Sequence, residues 1–343
     1  MKNKLREIIY YITTAAVASG VLIMFVIFPG INDNTPSMFG DTIYGKAHKP
    51  YVYRTLLPSA VRLLSSAVPN SVRSSISDKI ESNISLKKLF IKLKWEKELA
   101  VEYSFAMLLM FLSLWGFTLA IRYLFQLFYE TSPWYSYSVS LLALIGLPPM
   151  FQYTSFVYDF PLLFLYTLGL IFLYKQDWKS FLVLYFIACI NKETTILLTL
   201  IFYIYYKGML KSELFRKLLA AQIAIFVVVK LVLYLIYTDN PGGLVEFHLI
   251  DHNLRLLTGY ELPLIVSILG IILLIFYKWE EKPDFLRKSM VAFIPLIVLT
   301  FFLGYLDELR DYYEVYPTVV IMISYSIARI MELQIKLLKK LDN

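Results

Sequence analysis

Cysteine is almost missing from this chain of 343 residues. The one thiol, Cys189, excludes an intramolecular disulfide framework and a cysteine-built metal site. Histidine is nearly as scarce. His48, His248 and His252 are the three present, and none stands in an HExxH arrangement. Charge is low as well: 17% of residues are Asp, Glu, Lys or Arg, against about 25% in soluble domains. That poverty excludes a disordered, charge-rich chain and an ordinary cytosolic enzyme. No direct or inverted internal repeat is visible, which weighs against a transporter built from two matching halves.

What fills the chain instead is apolar and aromatic. Hydrophobic residues reach 58%, with 27 Tyr and 25 Phe, and the mean hydropathy is +0.62. Aromatic side chains collect where a bilayer meets water. The composition therefore predicts an all-α, polytopic transmembrane helix bundle forming a single integral membrane domain over 1–343. The net charge of +7 is then the basic excess of cytoplasmic loops, not a nucleic-acid surface.

A helix needs about 20 apolar residues to cross the hydrocarbon core. Candidate spans lie near 8–28, 101–121, 138–157, 160–174, 180–190, 193–206, 218–237, 262–277, 289–305 and 317–335, about ten in all. The stretch 180–206 also reads as one long helix. Lys2, Lys4 and Arg6 precede the first span and put that end in the cytoplasm. Alternation then makes 122–137, 175–179, 207–217, 278–288 and 336–343 inner segments, and each carries basic residues, ending with Lys336, Lys339 and Lys340. The expectation is a multi-pass protein of the cell membrane with both termini inside.

The first outer loop, about 30–99, is long and structured. Val52, Leu56, Leu57, Ala60, Val61 and Leu64 make one apolar face, and Val72, Ile76, Ile80 and Ile84 recur every four residues. Both stretches, with Leu86–Trp95 after them, read as amphipathic helices lying along the membrane surface. The plain account is interfacial packing; the functional one is a basic platform for an anionic lipid headgroup.

Polar residues at span ends concentrate on the outer side. The first loop holds Asp33, Asp41, Lys49, Tyr53 and Arg54. The next outer turns hold Tyr158 with Asp159, then Asn191-Lys192-Glu193-Thr194. After the seventh span come His248, Asp251, His252 and Arg255, and the last outer turn holds Asp307, Glu308, Arg310, Asp311 and Glu314. Carboxylates and cations at one surface suit general-base chemistry beside a phosphate leaving group. Each has a plainer account. Gly40-Asp41 is ordinary turn chemistry, Asp159 with Pro161 can start a helix, and Lys230 inside the seventh span either snorkels or pairs with an acid. His248 and His252 with Asp251 between them leave a divalent metal open but are weak evidence for one at this spacing, and no cofactor is firmly predicted.

This layout resembles the GT-C superfamily of integral membrane glycosyltransferases. A first span, a long outer loop with an early carboxylate, two surface helices and many later spans make up the resemblance. Asp41-xx-Tyr44-xx-Ala47 is similar to that family's acidic first-loop stretch. Pro50-Tyr51-Val52-Tyr53-Arg54-Thr55-Leu56-Leu57-Pro58 looks like the segment that follows it, and Tyr158-Asp159-Phe160, Asn191-Lys192-Glu193-Thr194 and Glu308-Leu309-Arg310 look like recurring signatures. The chain departs from the family in having no adjacent acid pair in the first loop.

The resemblance implies a polyprenyl-phosphate-linked sugar as donor and a glycan, lipid or protein acceptor. Asp41, or else Asp33, would take the acceptor proton. Arg54, with Lys49, Lys192 and Arg310, would hold the leaving phosphate. Tyr53, Tyr158, Asp159, Asn191, Glu193, Glu308 and Glu314 would position the substrate. Three other readings stay open: a transporter or flippase for a lipid-linked or anionic substrate, a polysaccharide polymerase, and a non-catalytic scaffold.

Overall fold

A computed structural model describes residues 2–243, 245, 247–256, 259 and 262–338. Lys339 and Lys340 of the last inner segment lie outside the described residues. The chain is helical apart from one two-stranded antiparallel pairing of Tyr129–Thr131 with Ile335–Leu337 among the described residues.

The first helix, α1 (Lys2–Phe25), ends where Phe28 turns extended ahead of Pro29, and Gly30 takes φ +112°. Glycine adopts that conformation without steric cost. The long loop expected to lie outside then folds into α2 (Leu56–Ser66), α3 (Asn70–Ser82) and α4 (Ile84–Lys92). Asn83 caps α4 by accepting from the N–H groups of Ser85 and Leu86 at 3.0 and 3.1 Å. Asn32 ties this loop down: its Nδ2 donates to the Lys94 carbonyl at 2.8 Å and to the Tyr103 hydroxyl at 2.9 Å, while its Oδ1 accepts from Phe39 N–H at 2.7 Å.

The bundle continues with α5 (Ala100–Phe128), α6 (Pro133–Ile145), α7 (Asp159–Lys175), α8 (Trp178–Asn191) and α9 (Ile196–Tyr206). It closes with α10 (Ser212–Ile236), α11 (Leu262–Phe276), α12 (Asp284–Leu303) and α13 (Tyr316–Ile330). The segment expected as a span over 138–157 starts earlier and stops sooner. Ser132 caps α6 with Pro133 at its first turn, and Pro148-Pro149, which supply no backbone donors, follow its end.

The stretch 180–206 is an antiparallel helical hairpin, not one long helix. Lys192 breaks it with extended backbone, φ −155° and ψ 147°. Thr199 donates to the Tyr185 hydroxyl at 2.8 Å, and Trp178 packs edge-on against Phe202 and Tyr206. Those pairs are symmetric about the break, as only a hairpin allows.

Among the described residues four helices are long and apolar enough to cross a membrane: Lys4–Gly30, Lys97–Phe128, Ser212–Ile236 and Asp284–Leu303. Trp178–Asn191, Glu193–Tyr206, Ile265–Phe276 and Tyr316–Ile330 are apolar but shorter. Apolar side chains on the long helices face outward, among them Ile12, Val228, Leu231, Leu235 and Val298. A wide exposed apolar belt is what a bilayer covers.

Helix ends gather into two groups. One contains Glu7 with Arg122, Phe128 against Tyr174 and Phe285, Tyr206 bonded to the Leu173 carbonyl, and Arg329 with Glu281. The other contains the loops. Ser155 N–H donates to the Gly30 carbonyl, Thr55 N–H to Ile190, Lys49 N–H to Pro241 and His248 N–H to Phe302. Segments far apart in the chain are thus knitted together at one end.

Candidate functional site

At that end a cavity of about 770 Å³ opens, within the usual size of a small-ligand site. All five outer segments read from the sequence contribute to its wall: Arg54 from the first, Tyr153 from the second, Glu193 from the third, His248 from the fourth and Arg310 from the last.

Arg54 stands just before α2, where a short 3-10 turn over Tyr51–Tyr53 aims it inward. Its Nη2 is 2.6 Å from Glu193 Oε1, and its Nε donates to Oε2 at 3.4 Å. Nη1 donates to the Tyr158 hydroxyl. The guanidinium also lies over the Tyr158 ring, 4.6 Å from the centroid. The α8–α9 hairpin supplies Glu193 from its tip. The neighbouring tip residue, Lys192, turns the other way and sits 3.3 Å from buried Glu314, which also accepts from Thr194. Asn191 anchors the tip through its Nδ2, which donates to the Tyr158 carbonyl at 3.1 Å.

A second guanidinium, Arg310, is buried in the same lining. Its Nη2 is 2.5 Å from Glu308 Oε1 and its Nη1 is 3.5 Å from Asp159 Oδ2. It stacks on Phe156 at 4.0 Å. Asp159 is the first residue of α7, with Pro161 in the first turn, but its side chain does not cap the helix. Its carboxylate accepts from Phe156 N–H at 3.3 Å in the turn ahead of the helix and also faces Arg310. Burial pushes the Glu308 carboxyl up to about 7 against the pull of Arg310, and Asp311 adds to the rise.

Two residues at this end were given no site role from sequence. Lys230, read only as a snorkelling or paired lysine, lines the cavity. Its Nζ is buried and has no hydrogen-bond partner. Asn253 was not marked at all. It is fully buried, and its Nδ2 donates to the carbonyls of Thr300, Phe301 and Gly304 while its Oδ1 accepts from Leu306 N–H. It pins the turn that leads to Glu308 and Arg310. A single buried Asn in a polar stretch carries no sequence mark of that role.

Tyr53 lines the cavity too, and its hydroxyl is buried without a hydrogen-bond partner. Other expected residues lie elsewhere. Asp41 sits on the short helix Phe39–Ile43, is exposed, and is not among the cavity-lining residues. Asp33 is also outside the lining and is held by Lys94 at 2.5 Å. Lys49 donates to the Thr238 carbonyl at 3.0 Å. Turn chemistry puts these side chains on loops without saying which way the loops face.

Among the described residues no three His, Cys, Asp or Glu side chains group as a metal site. His252 instead bonds Asp307 at 2.8 Å, and the same carboxylate accepts from Tyr153. The cavity thus combines two aromatic-stacked guanidiniums, two ammoniums and three lining carboxylates in a partly apolar wall. That set can receive an anionic headgroup and move a proton. Comparison with protein-family models, with curated proteins and with solved structures found no match to the chain.

Proposed function

We propose that this chain is a multi-pass membrane glycosyltransferase of the GT-C type. It moves a sugar from a polyprenyl-phosphate donor to an acceptor hydroxyl at the outer face. The observation that carries the reading is the convergence of all five outer segments on one cavity lined by Arg54, Lys192, Lys230 and Arg310 beside Glu193, Glu308 and Asp311. In this reading the shorter helices complete passes alongside the four long ones. The cavity end faces outward, both termini are cytoplasmic, and the donor's hydrocarbon tail lies in the bilayer.

The reaction needs a base, an electrophilic carbon and a stabilised leaving group. Glu308 serves as the base here in place of Asp41. It lines the cavity, and burial with Asp311 beside it raises its carboxyl above the usual range, which suits a proton acceptor. The acceptor oxygen attacks the anomeric carbon and loses its proton to Glu308. The bond from that carbon to the phosphate oxygen breaks, and the phosphate leaves with the electron pair. Guanidinium groups suit the departing charge because their planar fork matches phosphate oxygens.

The test is lipid mass spectrometry on cells lacking the protein, complemented with wild type, Glu308→Gln or Asp41→Asn at matched expression. Accumulation of one polyprenyl-phosphate sugar in the null and in Glu308→Gln, but not in Asp41→Asn or wild type, supports the reading. No change in any polyprenyl-linked lipid sinks it. Transport of a lipid-linked substrate is the second reading, favoured by Lys230 within α10. It predicts that purified protein moves the donor across vesicles without consuming it.

A further inference from the structure

The cations that line the cavity are not equivalent. Arg54 is occupied by Glu193 and Tyr158, Arg310 by Glu308 and Asp159, and Lys192 by Glu314. Lys230 is different. Its ammonium is buried, carries three donors and has no hydrogen-bond acceptor among the described residues. It lies six residues before Ile236, the cavity-side end of α10, which is about 9 Å at 1.5 Å per residue. Tyr53, Tyr234 and Glu193 also line the cavity. An ionised group away from water is costly unless something neutralises it. The carboxylate whose charge reaches Lys230, Glu193, is bonded to Arg54, so the ammonium keeps its donors for a further anion.

We propose that Lys230 Nζ is the primary receptor for the phosphate of the cavity's ligand, with the buried Tyr53 hydroxyl, which also lacks a partner, donating to the same phosphate. Arg54 and Arg310 shape and polarise the wall but stay engaged with their carboxylates until a ligand displaces them. This deepens the phosphate-lipid reading above and rests on it. The ligand class is a phosphate monoester or diester, carried by a lipid or free in solution.

The experiment is binding to the full chain in nanodiscs of neutral lipid. Farnesyl phosphate is the probe, farnesol the neutral control and inorganic phosphate the free anion. Lys230→Met keeps the length and removes the charge. It is expected to weaken farnesyl phosphate binding at least tenfold, to leave farnesol unchanged, and to raise the melting temperature of the empty protein. Lys230→Arg restores most of the binding. If inorganic phosphate competes and its binding is likewise lost in Lys230→Met, the subsite stands with a free anion as its source.

Wild-type binding with Lys230→Met equal within twofold overturns the assignment and leaves the broader reading intact. Failure of the wild type to bind either phosphate overturns both. Lys230→Gln is the second variant. If both neutral variants fail to fold, the assignment also falls, because an unpartnered ammonium holds nothing together in the empty protein.

Discussion

Arg54 and Glu193 stand 139 residues apart in the chain and meet at 2.6 Å across the cavity wall. The pair joins the first outer loop to the tip of the α8–α9 hairpin, and Tyr158 underlies it from a third segment. Three connections that fold separately are thereby fixed to one another. The Glu193 side chain remains 41% exposed, so water screens the pair. A double-mutant cycle of Arg54→Ala and Glu193→Ala, read by reversible unfolding in mixed micelles, is expected to give a coupling of about 1 kcal/mol. Arg54→Lys fails to restore it, since an ammonium cannot match the forked contact and the ring together.

The raised carboxyl of Glu308 sets a sign for pH. Its folded value of about 7 exceeds the usual carboxylate range, so the folded protein binds a proton that the unfolded chain releases. Stability therefore falls as pH rises from about 4.5 to about 7 and then levels, as far as this group is concerned. A base must be ionised to work, so transfer activity climbs through the same region. Glu308→Gln is expected to flatten the stability profile and abolish the activity limb. A stability profile unchanged by the substitution shows that Glu308 does not titrate there.

Asn253 tests how the turn that leads to Glu308 and Arg310 is held. Replacing it with alanine strips three carbonyls of a donor and Leu306 N–H of its acceptor, all in a buried place. A loss of about 2–4 kcal/mol follows if the turn only partly recruits water. Asn253→Asp keeps the acceptor but turns a negative oxygen toward three carbonyls, and it is expected to destabilise at least as much. Melting of the two variants side by side decides the point.

Gly242 sits at φ +91°, and a Cβ there would meet the Lys49 carbonyl oxygen at 2.6 Å. Backbone cannot retreat as a side-chain tip can. Gly242→Ala is expected to cost about 2 kcal/mol or more and to loosen the loop that carries Tyr53 and Arg54. Limited proteolysis of the first outer loop, faster in the variant than in wild type, is the readout.

The helices were legible because apolar periodicity and length are local properties of the sequence. Surface helices over 56–66 and 70–82 follow the stripes of Leu57, Val61 and Ile80, which are buried. The outer polar turns were legible for the same reason: carboxylates stand out at the ends of apolar runs. What escaped depends on which way a loop faces after long-range packing. Asp41 and Lys230 make the contrast. The carboxylate in a turn that looked catalytic is exposed, and the lysine that looked like a snorkelling side chain lines the cavity. Lys192 and Glu193 are neighbours of opposite charge in the sequence, yet each is paired with a residue more than a hundred positions away. The hairpin was half legible. Its polar tip is plain in the sequence, but the reversal rests on contacts such as Tyr185 with Thr199.

Extended backbone at Lys192, followed at once by the 3-10 turn Glu193–Thr195, sends the side chains of the tip to two sides. Lys192 and Thr194 reach Glu314, while Glu193 between them reaches Arg54. The tip behaves like a two-sided key whose teeth are one residue out of step. A single residue inserted ahead of Lys192 would shift lysine against Arg54 and glutamate against Glu314, turning two attractions into two repulsions at once. Point substitutions at the tip weaken one lock at a time. A frame slip of one residue there would fail both, although it leaves every side chain of the site in the chain.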